Sequence, residues 1–520
     1  MHPAIHAKHF ADKPAAILAG SGRAITYAQL DQRSNQIAHF LRQEGIGPGE
    51  TIAIVLENQL ELFPLVWGAQ RAGVYFACLS YRLSGEDLAY ILLDCGARVV
   101  FGSLATGEVL AKAAAAGFEG RIELVDAAHI DGSFCSRVTQ LPCVPIADEM
   151  AGSDMLYSSG TTGRPKGVKQ PFVGGRPIDA PTPLGLIAQS RFGMGVETRY
   201  LSPAPLYHAG PLRWSMLVQR LGGTVVVMEK FNAQCALKYI QDYAITAAQW
   251  VPTHFSRMLQ LPEAMRRTYN LSSLSVALHA AAPCPIPVKQ AMLDWWGPII
   301  HEYYGGTENN GLTMIAPDEW LAHPGSVGKA FVGTLHICGP DGCELPPGQT
   351  GDVYFSGGQT FEYHNDPEKT RSAYNKCGWS TLGDIGHVNS EGYLYLTDRK
   401  NFTIISGGVN IYPQEIENAL MAHTAIADVA VFGVPDDDFG ERVVAVVELL
   451  DGQTPSPDLA GQIQDFARER LGGLKAPKQI DFMDRLPREP TGKLFKKLLV
   501  SEYKARANSS QTLGAKGQFQ

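Results

Sequence analysis

The sequence predicts an α/β protein with a large N-terminal body, a small β-rich lobe and a separate α+β domain at the C-terminus. At 520 residues the chain is too long for one ordinary core, because single cores stop growing at about 250–300 residues. Helix and strand patterns alternate through the first hundred residues, which is typical of parallel sheet covered by helices. Near residues 325–357, glycines, prolines and alternating apolar positions replace that pattern and predict the β-rich lobe.

The N-terminal elements follow from capping and apolar spacing. Thr26 and Gln29 have the spacing of a capping box, in which each side chain bonds the other residue's amide. The apolar residues that follow lie on one helical face, and Gly45 predicts the end of that helix. Residues 51–56 form a β-branched run suited to a buried strand. Further elements are predicted as a helix at residues 60–72 and strands at residues 98–101, 223–228 and 244–249.

A new α+β pattern opens at Asn401 and predicts a second domain. It reads as a strand, a helix at residues 413–423, strands at residues 427–433 and 442–449, and a helix near residues 459–471. We therefore predict an N-terminal domain of residues 1–399 and a C-terminal domain of residues 400–505. Residues 506–520 are small and polar, which predicts a disordered tail.

Composition excludes several function classes. The net charge of −8 comes without a long basic block, so no nucleic-acid partner is expected. The nine cysteines are scattered without a CxxC pair or a zinc pattern, which favours thiols in a reducing compartment. Neither a signal peptide nor an apolar run of membrane-spanning length is present. We expect a cytoplasmic protein without a transmembrane segment, and a homo-oligomer stays possible.

Residues 157–167, with the sequence YSSGTTGRPKG, predict a loop that binds an oligophosphate. Glycines allow close approach of the backbone, hydroxyls donate hydrogen bonds and cations balance the charge. A Walker A loop is disfavoured, because Pro165 stands in place of its second glycine and Gly167 in place of its Ser or Thr. The candidate nucleotide-binding residues of this loop are Ser158, Ser159, Gly160, Thr161, Thr162, Gly163 and Lys166.

This loop resembles the phosphate-binding signature of the adenylate-forming superfamily, which contains acyl-CoA synthetases, luciferases and adenylation domains of peptide synthetases. Other motifs similar to those of the family follow in the family's order across nearly the whole chain. They are residues 204–210 (APLYHAG), 304–308 (YGGTE), 382–384 (LGD), 398–401 (DRKN), 404–413 (IISGGVNIYP) and 490–493 (PTGK). The resemblance implies a body of stacked α/β subdomains with a β-rich lobe, and a small C-terminal domain that is mobile.

The resemblance also implies how ATP and Mg²⁺ are bound. Tyr304 is expected to stack on adenine, Thr307 to contact the α-phosphate and Asp384 to bind both ribose hydroxyls. Arg399 is expected to contact the ribose or a phosphate. Thr162 and Glu308 are the expected magnesium ligands, since a hard cation between phosphates needs oxygen donors.

The catalytic and hinge residues are assigned by the same resemblance. Lys493 is expected to bridge the carboxylate of the acid and the α-phosphate, with Thr162, His208 and Glu308 also catalytic. Gly407 and Gly408 are expected to line the pantetheine tunnel of coenzyme A. The pivot position, where the family usually has Asp or Lys, holds Asn401 in this chain, and Asn tolerates unusual backbone angles.

Family segments place the acyl pocket at His208, Trp250, Ala281 and Tyr303, although Trp250 is equally consistent with the core. The predicted reaction is ATP-dependent formation of an acyl-adenylate with release of pyrophosphate. Thioester formation with coenzyme A and release of AMP follow. The acid is fatty, aryl, alicyclic or a steroid side-chain acid, and no carboxylate in residues 207–210 offers a partner for an amino-acid ammonium. Loading of a carrier protein, or nucleotide binding without use of coenzyme A, are the alternatives.

Overall fold

A computed structural model describes residues 2–127, 132–158, 165–406, 409–436, 438–488 and 494–515. The first 150 residues contain helices α1 to α6 and strands β1 to β6. In chain order these are α1 Pro3–His9, β1 Pro14–Leu18, β2 Ala24–Thr26, α2 Tyr27–Gln43, β3 Thr51–Val55, α3 Leu62–Arg71, β4 Tyr75–Cys78, α4 Gly85–Asp94, β5 Val99–Gly102, α5 Gly107–Ala115, β6 Arg121–Leu124 and α6 Phe134–Val138. The predicted capping box is confirmed, because Thr26 and Gln29 each bond the other's backbone amide at the start of α2.

The next segment completes the N-terminal body. Its elements are β7 Met155–Ser158, β8 Lys166–Lys169, α7 Pro183–Phe192, β9 Arg199–Ser202, α8 Ala209–Arg220, β10 Thr224–Val227, α9 Ala233–Asp242, β11 Ala247–Trp250, α10 Pro252–Leu259, α11 Glu263–Arg266, β12 Val276–His279, α12 Ile286–Trp296, β13 Ile300–Gly305, β14 Leu312–Ile315, α13 Pro317–Ala322 and β15 Lys329–Val332.

Two sheets with parallel pairing form the body. One has nine strands in the order β15-β14-β13-β12-β11-β9-β10-β1-β2, and the other has the order β4-β3-β5-β6. Their strands alternate faces, as the two-residue period of a strand requires. Val225 and Val227 face the core between the two sheets while Val226 faces the outer helices. The predicted stacking of α/β layers is confirmed.

The β-rich lobe is an antiparallel sheet in the order β16-β17-β19-β20. Its first two strands lie within the predicted residues 325–357 and its last two lie beyond them, because the glycine and proline signal marks only the first turns. The elements of this segment are β16 Thr334–Cys338, β17 Gly351–Ser356, β18 Glu362–Tyr363, α14 Pro367–Ser372, β19 Ser380–Val388 and β20 Leu394–Arg399. Strand β18 leaves the lobe and pairs with the β7–β8 hairpin.

The C-terminal α+β unit has a sheet in the order β22-β21-β24-β23, with β25 paired to β24. Its elements are β21 Ile404–Ser406, β22 Val409–Ile411, α15 Pro413–Leu420, β23 Ile426–Asp436, β24 Gly440–Leu449, α16 Pro457–Lys475, β25 Gln479–Phe482 and α17 Lys496–Ala515. Helix α17 runs through residues 506–515, where the sequence predicted a disordered tail. Among the helices of the described residues, none is both long and apolar enough to cross a bilayer.

Candidate active site

A large cleft runs between the strand ends of the nine-stranded sheet, the β-rich lobe and the C-terminal unit. Its volume is about 2210 Å³. It lies at the carboxyl ends of parallel strands β11 and β12, which is where open α/β sheets bind ligands. Residues of five of the predicted motifs line it, among them Lys166, His208, Tyr304, Asp384 and Arg399.

Tyr304, Asp384 and Arg399 form a polar cluster at one end of this cleft. Tyr304 Oη donates to Asp384 Oδ2 at 2.6 Å, and Arg399 Nε donates to Asp384 Oδ1 at 3.0 Å. Burial and then the neighbouring Asp384 raise the pKa of Tyr304 well above its ordinary value. The phenol therefore keeps the proton that it donates.

Strand register explains why Asp384 and Arg399 meet. In the antiparallel β19–β20 pair, Asp384 lies directly opposite Arg399. Directly opposite residues of antiparallel strands have neighbouring side chains. The pairing orients a buried carboxylate beside a guanidinium and a phenol, a set of groups suited to hydroxyls and phosphates.

Glu308 is a second carboxylate in the cleft, and it is buried. Tyr363 Oη of β18 donates to Glu308 Oε1 at 3.0 Å, and the Gln170 side chain donates to the Glu308 carbonyl at 3.3 Å. Its other oxygen, Oε2, lies against Gly306, where an added Cβ would approach it to 2.6 Å. Glycine at 306 therefore allows this oxygen to pack against the backbone.

Two lysines contribute positive charge beside Glu308. Lys166 Nζ lies 5.7 Å from the centre of the Tyr363 ring. Burial, followed by repulsion from Lys369, lowers the pKa of Lys166, whereas Asp366 and Glu308 act in the opposite direction. Lys369 of α14 carries no sequence motif and was missed. Of the other predicted loop residues, Ser159, Gly160, Thr161, Thr162 and Gly163 lie outside the described residues, and Ser158 is described only as the last residue of β7.

Arg213 joins three segments around Thr307. It forms an ion pair with Asp154 at 2.7 Å and donates to the Thr307 carbonyl at 3.1 Å and to Asn309 Oδ1 at 3.0 Å. Sequence reasoning missed Arg213, because it lies within α8 after the aromatic motif and its partners are 59 or more positions away. It fixes the turn that carries Thr307.

His208 lies at the N-cap of α8, with its ring centre 4.4 Å from that of Tyr207. The helix start is thereby placed over the strand ends of β11 and β13. Gly210 follows in the first turn, and a Cβ there would come within 2.7 Å of Gln249 Nε2. A larger residue at this position would therefore displace the Gln249 side chain.

The wall beyond His208 is formed by Tyr303, Gln249 and Trp214. Gln249 Nε2 donates to Tyr303 Oη at 2.5 Å and Trp214 Nε1 donates to it at 3.2 Å. Ala281, also at the cleft, has φ of +74°, which is strained for a residue with a Cβ.

Trp250 lies on the opposite face of the sheet from Gln249, since neighbouring strand residues alternate sides. It is 0% exposed, and its ring centre lies 5.5 Å from that of Trp296 and 6.4 Å from that of Phe255. The ring packs in the core, and the residue also borders the cleft, so the structure agrees with both interpretations of the sequence. Gln249 provides the polar wall, and the sequence held no signal for it.

A buried charge cluster lies on that opposite face. Lys289 Nζ and His279 Nε2 lie 2.5 and 3.3 Å from Glu302 Oε2. Burial alone would raise the pKa of Glu302, but His279 and Lys289 reverse this and hold it at about 2. Burial also lowers the pKa of His279. The cluster fixes the ends of β12 and β13 beneath the cleft.

The segment after Arg399 connects the lobe to the C-terminal unit. Asp398 Oδ1 accepts from the Arg399 amide at 2.6 Å, and Oδ2 accepts from the Gln414 amide at 2.9 Å. Helix α15 has Pro413 at its first position and no cap from its own N-cap side chain, so Asp398 supplies that cap from before the predicted pivot. Asn401 lies in a short 3₁₀ turn, Lys400–Phe402.

Residues on either side of the predicted motif at 490–493 also lie at the cleft. Arg488 is paired with Asp428, with nitrogen and oxygen 2.5 Å apart, and Lys496 with Glu417 at 2.7 Å. Arg488, Leu494 and Lys496 line the cleft. Lys493 lies outside the described residues, as do Gly407 and Gly408.

Family models match most of the chain. A model described as AMP-binding enzyme matches residues 4–363, and one described as AMP-binding enzyme C-terminal domain matches residues 415–493. The chain belongs to the AMP-binding enzyme family. The predicted membership of the adenylate-forming superfamily is confirmed.

Similar proteins of this family are ligases. The chain is 32% identical over 486 residues to a feruloyl-CoA synthase from Amycolatopsis sp, covering 91% of this chain and 93% of the relative. It is 31% identical over 513 residues to the fatty acid–[acyl-carrier-protein] ligase ScoC of Streptomyces coeruleorubidus, covering 96% and 95%. ATP-bound MatB from Rhodopseudomonas palustris is similar in structure, with a TM-score of 0.82, 28% identity and coverage of 97% and 99%. These likenesses confirm the predicted fold and the acid–thiol ligase class.

Proposed function

We propose that this AMP-binding enzyme converts a carboxylic acid to its acyl-adenylate, releasing pyrophosphate, and then transfers the acyl group to coenzyme A, releasing AMP. The observation that carries this is the joint position of the Tyr304–Asp384–Arg399 cluster, the buried Glu308 and the wall around Tyr303 in one cleft. One end suits a nucleotide and the other an acyl group. Between these two ends, the carboxylate of the acid and the α-phosphate of ATP would meet.

Binding of ATP is assigned to the polar end. Asp384 would accept hydrogen bonds from ribose hydroxyls, Arg399 would offer its guanidinium to ribose or phosphate, and the Tyr304 ring would stack on adenine. Thr307, held by Arg213, would contact the α-phosphate. The loop ending at Lys166, together with Lys369, would bind the leaving pyrophosphate, because cations stabilise the charge that develops there.

Magnesium fits the residues present at Glu308. Glu308 Oε1 accepts a hydrogen bond from Tyr363, and Oε2 packs against the backbone of Gly306 in the same cleft. Mg²⁺ is commonly held by one or two carboxylates together with substrate phosphates and water, so one available oxygen is sufficient. Thr162 is the proposed second ligand. The ion, when bound, supplies charge neutralisation for the phosphates.

The C-terminal domain, residues 400–505, is proposed to serve both half-reactions by rotating about Asn401. Lys493 would bridge the two reacting groups in the first, and Gly407 and Gly408 would border coenzyme A in the second. The cleft-lining positions of Arg488 and Leu494, on either side of Lys493, support an arrangement suited to adenylate formation. His208 would separate the reacting carboxylate from the acyl end of the cleft.

A carrier protein is the second candidate acceptor, because ScoC is named as a ligase for an acyl-carrier protein. The cytoplasm stays the proposed location, on the scattered free cysteines. A panel of fatty, aryl and alicyclic acids, assayed for pyrophosphate with and without coenzyme A and for acyl-CoA by mass, tests the proposal. Pyrophosphate without any acyl-CoA would favour the carrier, and no pyrophosphate from any acid would contradict the function.

A further inference from the structure

The acyl end of the cleft contains more hydrogen-bonding capacity than the protein itself uses. Tyr303 Oη accepts one bond from Gln249 Nε2 and one from Trp214 Nε1. The proton of the phenol is therefore left to donate elsewhere. Burial raises the pKa of Tyr303 to about 12, so that proton is present at any physiological pH.

Gln249 supplies a second polar group whose hydrogen-bonding capacity is unused. Its side chain is 7% exposed, and its Oε1 has no hydrogen-bond partner among the described residues. Leaving a buried polar group without a partner costs about 1–3 kcal/mol. Turning the amide over would let Tyr303 donate to Oε1, but Nε2 would then lose its acceptor. The structure has the first orientation, which leaves the acceptor Oε1 for a ligand. The turned-over amide would leave a donor instead, and a ketone would satisfy that donor as well as a hydroxyl would.

These groups face the substrate side of the sheet. Gln249, Tyr303 and Trp214 all line the cleft. Gly210 lies against Gln249, where a Cβ on residue 210 would come within 2.7 Å of Gln249 Nε2. The remaining side chains on this face of the sheet are mostly apolar, and the charged Glu302 projects to the other face. The nearest charge is Arg213, which acts on Tyr303 but is already paired with Asp154 at 2.7 Å. A charged substituent would therefore find no opposite charge among these three side chains, whereas a neutral polar one would find both a donor and an acceptor.

We propose that the acid activated by this enzyme carries a hydroxyl group, alcoholic or phenolic, that donates to Gln249 Oε1 and accepts from Tyr303 Oη. A hydroxyl is both donor and acceptor, so it complements the pair in a way that a ketone or an ether does not. The inference rests on the proposed function, since it assigns the acyl end of the same cleft. It makes Gln249 and Tyr303 specificity-determining residues.

The test uses matched acids that differ by one hydroxyl. Cinnamate is paired with para-hydroxycinnamate, cyclohexanecarboxylate with its hydroxylated form, and decanoate with ω-hydroxydecanoate. Pyrophosphate release gives kcat/KM for each acid with the wild-type enzyme, Tyr303→Phe and the volume-matched Gln249→Met. Thermal melting of each variant, with and without ATP, shows whether it folds and binds nucleotide.

The expected result is a preference of about tenfold or more for the hydroxylated member of the best pair, because a pocket built to bond a hydroxyl rejects the analogue that lacks it. Tyr303→Phe and Gln249→Met should each reduce that preference to about threefold or less. If the best acid has no hydroxyl, or if the replacements lower both members of a pair equally, the inference is wrong while the ligase function stands. Failure of every acid to release pyrophosphate would overturn the function and the inference together.

Discussion

Replacing Asp398 with Asn tests whether the cap on α15 holds the C-terminal domain in position for adenylate formation. The wild-type carboxylate accepts two backbone amides, and the bond from Gln414 crosses the proposed pivot. Asn keeps a single acceptor oxygen, so one bond is lost. A hydrogen bond to a charged group contributes about 1.5–3 kcal/mol, and Asp398 is half-buried, which favours the lower value. About 1.5 kcal/mol corresponds to roughly a tenfold shift in the domain equilibrium.

The assay separates the half-reactions. Asp398→Asn should slow pyrophosphate release by about tenfold while sparing thioester formation from preformed acyl-adenylate. Lys400→Gln is the matched control, because it removes an exposed pair with Asp352 on the same segment, and exposed pairs contribute about 0–1 kcal/mol. Equal slowing of both half-reactions by Asp398→Asn, or an equal effect of the control, would refute the reasoning.

Three further replacements test the site and its support. Lys493→Ala should abolish adenylate formation but spare thioester formation from preformed adenylate, and equal loss in both would contradict the assignment. Asn401→Pro should do the reverse, and a normal rate from preformed adenylate would place the pivot elsewhere. Lys289→Met leaves the Glu302 charge buried without its lysine, so urea unfolding should show a loss of about 3–5 kcal/mol. Adding Glu302→Gln should recover part of that loss, and no recovery would show that packing, not charge, is responsible.

The residues proposed to bind the nucleotide could be selected from the sequence because each belongs to a local motif. Tyr304, Asp384 and Arg399 are recognised separately, and strand pairing then brings two of them together across 15 positions. Arg213 and Gln249 were not accessible in this way. Each contacts partners that are far away in the sequence. The helix and the strand that carry these residues show no local motif at their positions.

The alternation of side chains along a strand explains why the sequence left Trp250 open between the acyl pocket and the core. Residues 247–251, before α10, are apolar except for Gln249, so the sequence alone does not show which residues of β11 face the cleft. Only the neighbouring strands decide that Gln249 faces α8 while Trp250 packs against Trp296. Similarly, the predicted residues 325–357 cover only the first two strands of the lobe, because turn residues mark where a hairpin sheet begins more clearly than where it ends.

The end of β20 has a consequence for communication within the molecule. Arg399 donates a hydrogen bond to Asp384, the carboxylate that is proposed to bind ribose. Its direct neighbour Asp398 accepts a hydrogen bond from the first helix of the C-terminal unit. A displacement of a single peptide unit therefore alters both contacts. Under the proposed rotation, occupancy of the nucleotide pocket and the orientation of the C-terminal unit would be thermodynamically linked at this point. Exchange of ATP for AMP would then itself change the relative populations of the two proposed orientations.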